Sequence, residues 1–193
     1  FDADWVSQDN EAADHDPATG IVDIEPLAIL GGHASGLATP IDVKFQSDSL
    51  WVLDYGSGAL SVFDADWVSQ DNVGDVDNDP ATGIVDIEPL AILGGPTTGL
   101  DGPTRFASTD DDLLYITNFD SSHMSVFDAD WMSQDNVGDV DNDPVPGIVD
   151  ISPNATLGGP GNILGTPFGF AFGDRSSLYI VATYLVDAAS SGL

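Results

Sequence analysis

Asp75, Asp77, Asp79 and Asp86 stand at positions 1, 3, 5 and 12 of a twelve-residue window. Calcium takes about six to eight oxygen ligands, and alternate Asp side chains on a tight loop converge on one point while the residues between them face outward. The spacing therefore predicts a calcium loop, with Asp86 returning to close the shell. Asp139, Asp141, Asp143 and Asp150 repeat the arrangement without loss. A third loop, one residue shorter and with Ala12 in the leading place, keeps Asp14, Asp16 and Asp23 and predicts a weak or empty site. Position 6, where a sharp turn calls for Gly, holds Pro80 or Pro144, which cannot take a positive φ. Asp71 and Asn72, or Asp135 and Asn136, are further oxygen donors close by in sequence. The competing reading is a set of solvated turn aspartates.

These loops belong to a repeat. Residues 61–95 (SVFDADWVSQDNVGDVDNDPATGIVDIEPLAILGG) return as residues 125–159, and a copy lacking the first two residues occupies 1–32. The intervening stretches match as well: Pro40, Pro103 and Pro167 correspond, as do Leu50-Trp51, Leu114-Tyr115 and Leu178-Tyr179. A long self-similar period predicts stacked or radially arranged supersecondary units. Ile41, Val43 and Phe45 alternate with Asp42 and Lys44, the period of a half-buried strand. Residues 50–55 (LWVLDY) are apolar on both faces, as in a strand between two layers. Gly56-Ser57-Gly58 is a turn, residues 60–66 form a third strand, and residues 84–93 (IVDIEPLAIL) a fourth, with Pro89 at an edge or bulge. With abundant β-branched and aromatic residues and no sustained helical period, the chain is expected to be all-β. The expected organisation is one repeat domain over 1–193: a half unit at 1–32 carrying strands three and four, full units at 33–95 and 96–159, and a half unit at 160–193 carrying strands one and two. The two half units are complementary. They are expected to pair, either closing a ring or joining different molecules head to tail.

The segments TPIDVKFQSDSLWVLDYGSGALSVFDAD, GPTRFASTDDDLLYITNFDSSHMSVFDAD and TPFGFAFGDRSSLYIVATYLVD resemble the blade of NHL and YVTN-type β-propellers. In those blades a Pro introduces the innermost strand, an LYV-like strand follows, and a V-F-D strand leads to the outer edge. The resemblance implies four-stranded, propeller-like blades, about three per chain, with an acidic insertion between the third and fourth strands of each. Three blades are fewer than the roughly four to eight that close a propeller. A six-bladed ring shared by two chains, a piece of a longer array, or an open stack would each satisfy the pattern.

Composition narrows the function. Lys44, Arg105 and Arg175 face 33 acidic residues, for a net charge of -30. Nucleic acid and anionic membrane surfaces are thereby excluded as partners. All but three of the acids are Asp, the exceptions being Glu11, Glu25 and Glu88, and short-armed Asp favours turns and oxygen-ligand cation loops over a merely solvated surface. There is no cysteine, so disulfides and thiolate metal sites are absent. His15, His33 and His123 do not recur at equivalent positions and read as loop residues rather than zinc ligands. No apolar run approaches the ~20 residues of a membrane span. A chain opening on Phe1 reads as a processed form or a fragment, and extracellular calcium suits weak sites. Asn154-Ala155-Thr156 is a glycosylation sequon. Trp5, Trp67 and Trp131, each following an FDAD strand, read as packing residues rather than a sugar platform.

The acids that stand out recur as equivalents, which suits structural sites better than one asymmetric active site. No nucleophile elbow, HExxH or phosphate-binding glycine loop is present. The expectation is a non-enzymatic, extracellular, calcium-stabilised repeat protein with a structural, adhesive or self-assembling role, whose partners are copies of itself or other repeat segments. The alternative is a ligand-binding or hydrolase/lactonase-like propeller taking a small molecule or glycan in a central channel. Lys44, Arg105 and Phe168-Gly169-Phe170 are its non-repeating candidates.

Overall fold

A computed structural model describes residues 15–16, 21–22, 28–46, 48–70, 84–134, 147–158, 165–173 and 177–183. In chain order the strands are β1 (His15–Asp16), β2 (Ile21–Val22), β3 (Ile29–Leu30), β4 (Pro40–Gln46), β5 (Ser49–Asp54), β6 (Ala59–Asp64), β7 (Ile84–Val85), β8 (Ala91–Leu93), β9 (Pro103–Ser108), β10 (Leu113–Asn118), β11 (His123–Asp128), β12 (Ile148–Val149), β13 (Ala155–Gly158), β14 (Thr166–Phe172) and β15 (Leu178–Thr183). Single 3-10 turns at Trp67–Gln70 and Trp131–Gln134 follow β6 and β11. Among the described residues there is no α-helix, and no sheet closes on itself. The protein is all-β. Its contacts define two units, Phe1–Gly36 with Asp66–Ile87 and Leu37–Ala65 with Glu88–Leu193.

In the larger unit two equivalent meanders form. One sheet runs β12-β8-β6-β5-β4 and the other β13-β11-β10-β9, with β14 and β15 as a separate antiparallel pair. The β4–β5 and β9–β10 hairpins turn at Asp48 (φ 55°) and Asp112 (φ 56°), a left-handed conformation that Asp tolerates better than most residues. Register explains the core. Trp51 pairs with Val62, Leu53 with Leu60, Leu60 with Leu93, and Val62 with Ala91, which places all six on one face of the first sheet. Phe106 opposite Ile116 and Leu114 opposite Phe127 supply the facing surface of the second sheet. These residues, with Trp131 and Val149, make one buried apolar cluster. Phe106 stacks on Trp51 at 6.4 Å and Trp131 meets Trp51 edge-on at 5.8 Å. The next interface is aromatic too, with Tyr115 against Phe170 and Phe172, and Phe119 against Phe168.

Two expectations are corrected. The expected fourth strand at residues 84–93 is two strands. Ala91–Leu93 pairs antiparallel with β6 of its own repeat, whereas Ile84–Val85 pairs in parallel with Ile29–Leu30 of the repeat before. β12 does the same to β8, with Ile148 opposite Ile92 and Val149 opposite Leu93. The β4 alternation is present but inverted: Ile41, Val43 and Phe45 are exposed and Asp42 is buried. Asp42 is paid for by hydrogen bonds, since its carboxylate accepts from the Phe106 amide at 3.0 Å and from Arg105 Nη1 at 3.2 Å.

The smaller unit holds the β3–β7 parallel pair and the β1–β2 antiparallel pair, in which His15 lies opposite Val22. Its β3–β7 joint has the same register as the β8–β12 joint of the larger unit.

Candidate functional site

The parallel strand ends on an aspartate, and that aspartate is where the acidic loop meets structure. Asp86 is buried, and its carboxylate accepts from three consecutive backbone amides: His33 at 2.9 Å, Ala34 at 2.7 Å and Ser35 at 3.1 Å. Asp150 is buried in the equivalent place and accepts from Thr97 at 2.8 Å and Thr98 at 3.1 Å. Pro96 stands where His33 stands in the first joint and has no N–H to give. Successive amides pointing into one concavity form an anion nest, and the carboxylate occupies it.

Local sequence builds the nest. The Val85 carbonyl accepts from Gly31 N at 3.1 Å and the Val149 carbonyl from Gly94 N at 3.3 Å, which aligns each strand with the end of the preceding LGG. Gly32 (φ 99°) and Gly95 (φ 107°) then turn the chain, and a Cβ on either would overlap the docked carboxylate. Glycine is required there for both reasons. Ser35 Oγ donates to the Gly32 carbonyl at 2.9 Å and Thr98 Oγ1 to the Gly95 carbonyl at 2.7 Å, closing the turn from inside.

Of the residues predicted to ligate calcium, Asp86 and Asp150 thus hold joints between repeats. Both Asp86 oxygens and Asp150 Oδ1 accept from main-chain donors. Asp16 lies in β1. Asp14, Asp23, Asp75, Asp77, Asp79, Asp139, Asp141 and Asp143 lie outside the described residues, and among the described residues no three His, Asp or Glu side chains cluster as a metal site.

The channel candidates also sit at interfaces between sheets. Arg105 pairs with Asp42, Lys44 Nζ lies 5.0 Å from the Phe106 ring centroid, and Phe168 and Phe170 pack on Phe119 and Tyr115. Burial lowers the Lys44 pKa, partly offset by the Asp42 charge. The hydrogen bond from Tyr55 Oη to Asp120, 2.9 Å long, holds that phenol above its usual pKa. His33 is exposed in the nest turn, while His123 opens β11 with Nε2 at 3.2 Å from Ser125 Oγ. Asn154 is exposed and donates to Asp128 Oδ1 at 2.7 Å. Trp131 is buried between β12 of its own repeat and β8 and Trp51 of the repeat before, a packing role as expected.

Two structural acids escaped the sequence reading. Asp54, fully buried at the end of β5, accepts from Ala38 and Thr39 amides, both at 2.8 Å, and from Ser57 at 2.6 Å. Asp42 is the other. The available signal was an acid within or ending an apolar strand, where an unsatisfied charge would be prohibitive.

No family model matches the chain, and no curated protein does. Among solved structures it is similar to a conjectured exported protein from Bacteroides fragilis, at 12% identity and a TM-score of 0.40. The match covers 75% of this chain and 30% of that one, and likeness at this level assigns neither fold family nor function.

Proposed function

We propose that the chain is a non-enzymatic extracellular repeat protein, stabilised by calcium, with a structural or adhesive role exercised by assembly with like repeats into a ring or filament. The observation that carries this reading is the equivalence of the two joints. Asp86 and Asp150, the described acids that end the acidic loops, recur at matching places and bind one repeat to the next, which is what a scaffold needs and an asymmetric active site does not. The Pro-initiated meander β4-β5-β6-β8, repeated as β9-β10-β11-β13, supports propeller-type blades of the NHL and YVTN kind.

Calcium enters with a changed ligand set. Asp86 and Asp150 serve as anchors, and Asp75, Asp77, Asp79 with Asp139, Asp141, Asp143 are the proposed ligands. In sequence each acidic loop leads directly into the strand that docks on the preceding repeat, so a cation held by the loop would favour the joint. The test is thermal unfolding in millimolar calcium and in chelator, for the native chain and for Asp75→Asn/Asp77→Asn/Asp79→Asn. Calcium is expected to raise the Tm of the native chain by several degrees and that of the variant by less. Equal melting of the native chain in both conditions removes calcium from the proposal.

A further inference from the structure

We infer that Arg105 is the centre of a binding site for a small carboxylate, held on one side by Asp42 and open on the other beside Gly169. The chain has three Lys and Arg residues, and the two that the structure describes, Lys44 and Arg105, lie on the neighbouring strands β4 and β9. Asp42, Arg105 and Gly169 occupy equivalent positions, each two residues after the Pro that introduces its strand. β9 packs against both β4 and β14. One repeated position thus holds an acid, a base and no side chain in turn. None of the three takes part in the Asp86 and Asp150 joints, so the site goes beyond the assembly reading and does not depend on it.

Asp42 sets the guanidinium in place. Its Oδ1 accepts from Arg105 Nη1 at 3.2 Å and its Oδ2 from the Phe106 amide at 3.0 Å. The Asp42 side chain is 7% exposed, whereas that of Arg105 is 51% exposed. Nη1 is therefore occupied, while Nε and Nη2 have no partner among the described residues. Those two nitrogens form the edge of a guanidinium that takes both oxygens of one carboxylate. A Cβ added to Gly169 would meet Arg105 Nε alone within 4 Å, at 3.9 Å. The free edge faces room for a group that the chain does not supply. Two residues on, Ala107 and Ala171 keep the same face small where β4 carries Lys44.

Charge selects the ligand. A protein of net charge -30 repels anions, and repels a single negative charge less than a double one. Lys44 stands on the same face of β4 as Asp42, with Nζ 5.0 Å from the Phe106 ring centroid. Lys44 and Arg105 against Asp42 leave one positive charge to be met. A planar, singly charged carboxylate suits both that balance and the geometry of the free edge; a phosphate dianion suits neither.

The chain has two arginines, Arg105 and Arg175, so an Arg105→Gln variant identifies which Nε–H resonance belongs to which. Sodium acetate is titrated into the native chain at about 0.1 M total ionic strength, where screening limits the long-range repulsion to about 10 Å. Acetate is expected to move the Arg105 Nε–H resonance saturably and to leave that of Arg175 in place, whereas sodium chloride at the same ionic strength moves neither. Gly169→Asp supplies a carboxylate from the chain itself, and is expected to shift the Arg105 resonance without acetate and to weaken acetate binding about tenfold or more. An Arg105 resonance that does not respond to acetate, or responds equally to chloride, overturns the site, and this native titration decides the matter even if Gly169→Asp does not fold. A response shared equally by Arg175 overturns it too. A larger response to inorganic phosphate than to acetate overturns the carboxylate class, and an unchanged acetate response in folded Gly169→Asp overturns the placement beside β14.

Discussion

Asp86 and Asp150, each ending an IVD segment, are buried and held by main-chain hydrogen bonds. Thr98 is fully buried, and its amide has Asp150 Oδ1 as acceptor. Leaving a buried donor unmatched costs about 1–3 kcal/mol. Asp150→Ala strands the buried Thr98 amide, while the exposed Thr97 can turn to water, so a loss of about 1–3 kcal/mol is expected in chemical denaturation. Asp150→Asn keeps one acceptor oxygen and should lose less. If these residues were chiefly calcium ligands, the cost of either change would vanish in chelator; as joint residues they impose it with or without the cation. Legibility was partial at this scale. The spacing drew attention to Asp86 and Asp150, but spacing along the chain cannot say whether a carboxylate meets a cation or an amide 53 residues away.

At the scale of elements, the two-residue parallel strands are too short to be stable by pairing alone and depend on what packs over them. Val149 and Trp131 bring β12 into the same cluster as Leu93 and Trp51. Trp131→Ala should therefore cost about 3–5 kcal/mol by opening a cavity at the joint. Trp131→Phe should cost clearly less, because the indole N–H has no hydrogen-bond partner among the described residues to lose. Comparing urea midpoints of the two variants checks this, and equal losses would point to the N–H rather than to volume. The hairpins were legible from alternation and turn residues. The split of residues 84–93 was not, since IVD and AIL are both good strand sequences and only the partner distinguishes them.

For the whole molecule, the net charge of -30 favours expansion through self-repulsion. Screening shortens the reach of that repulsion, to about 10 Å at 0.1 M salt. Monovalent salt in chelator is therefore expected to raise the Tm, and to do so most steeply below about 0.1 M, where the screening length is still changing most. A flat or falling Tm would mean that favourable pairs such as Arg105 with Asp42 outweigh the acidic excess.

The sequence by itself determined the all-β class, the period, the hairpins, the acidic character and the positions of the glycines that turn the chain at each joint. These follow from local preferences and from self-similarity, which any copy of the repeat carries within it. The tertiary structure alone decided that the IVD segment belongs to the sheet of the preceding repeat, that Asp86 and Asp150 point into backbone nests, and that Ile41, Val43 and Phe45 face outward. Those outcomes depend on which surface each strand finds across 50 or more residues, a choice made by burial and hydrogen-bond satisfaction between repeats.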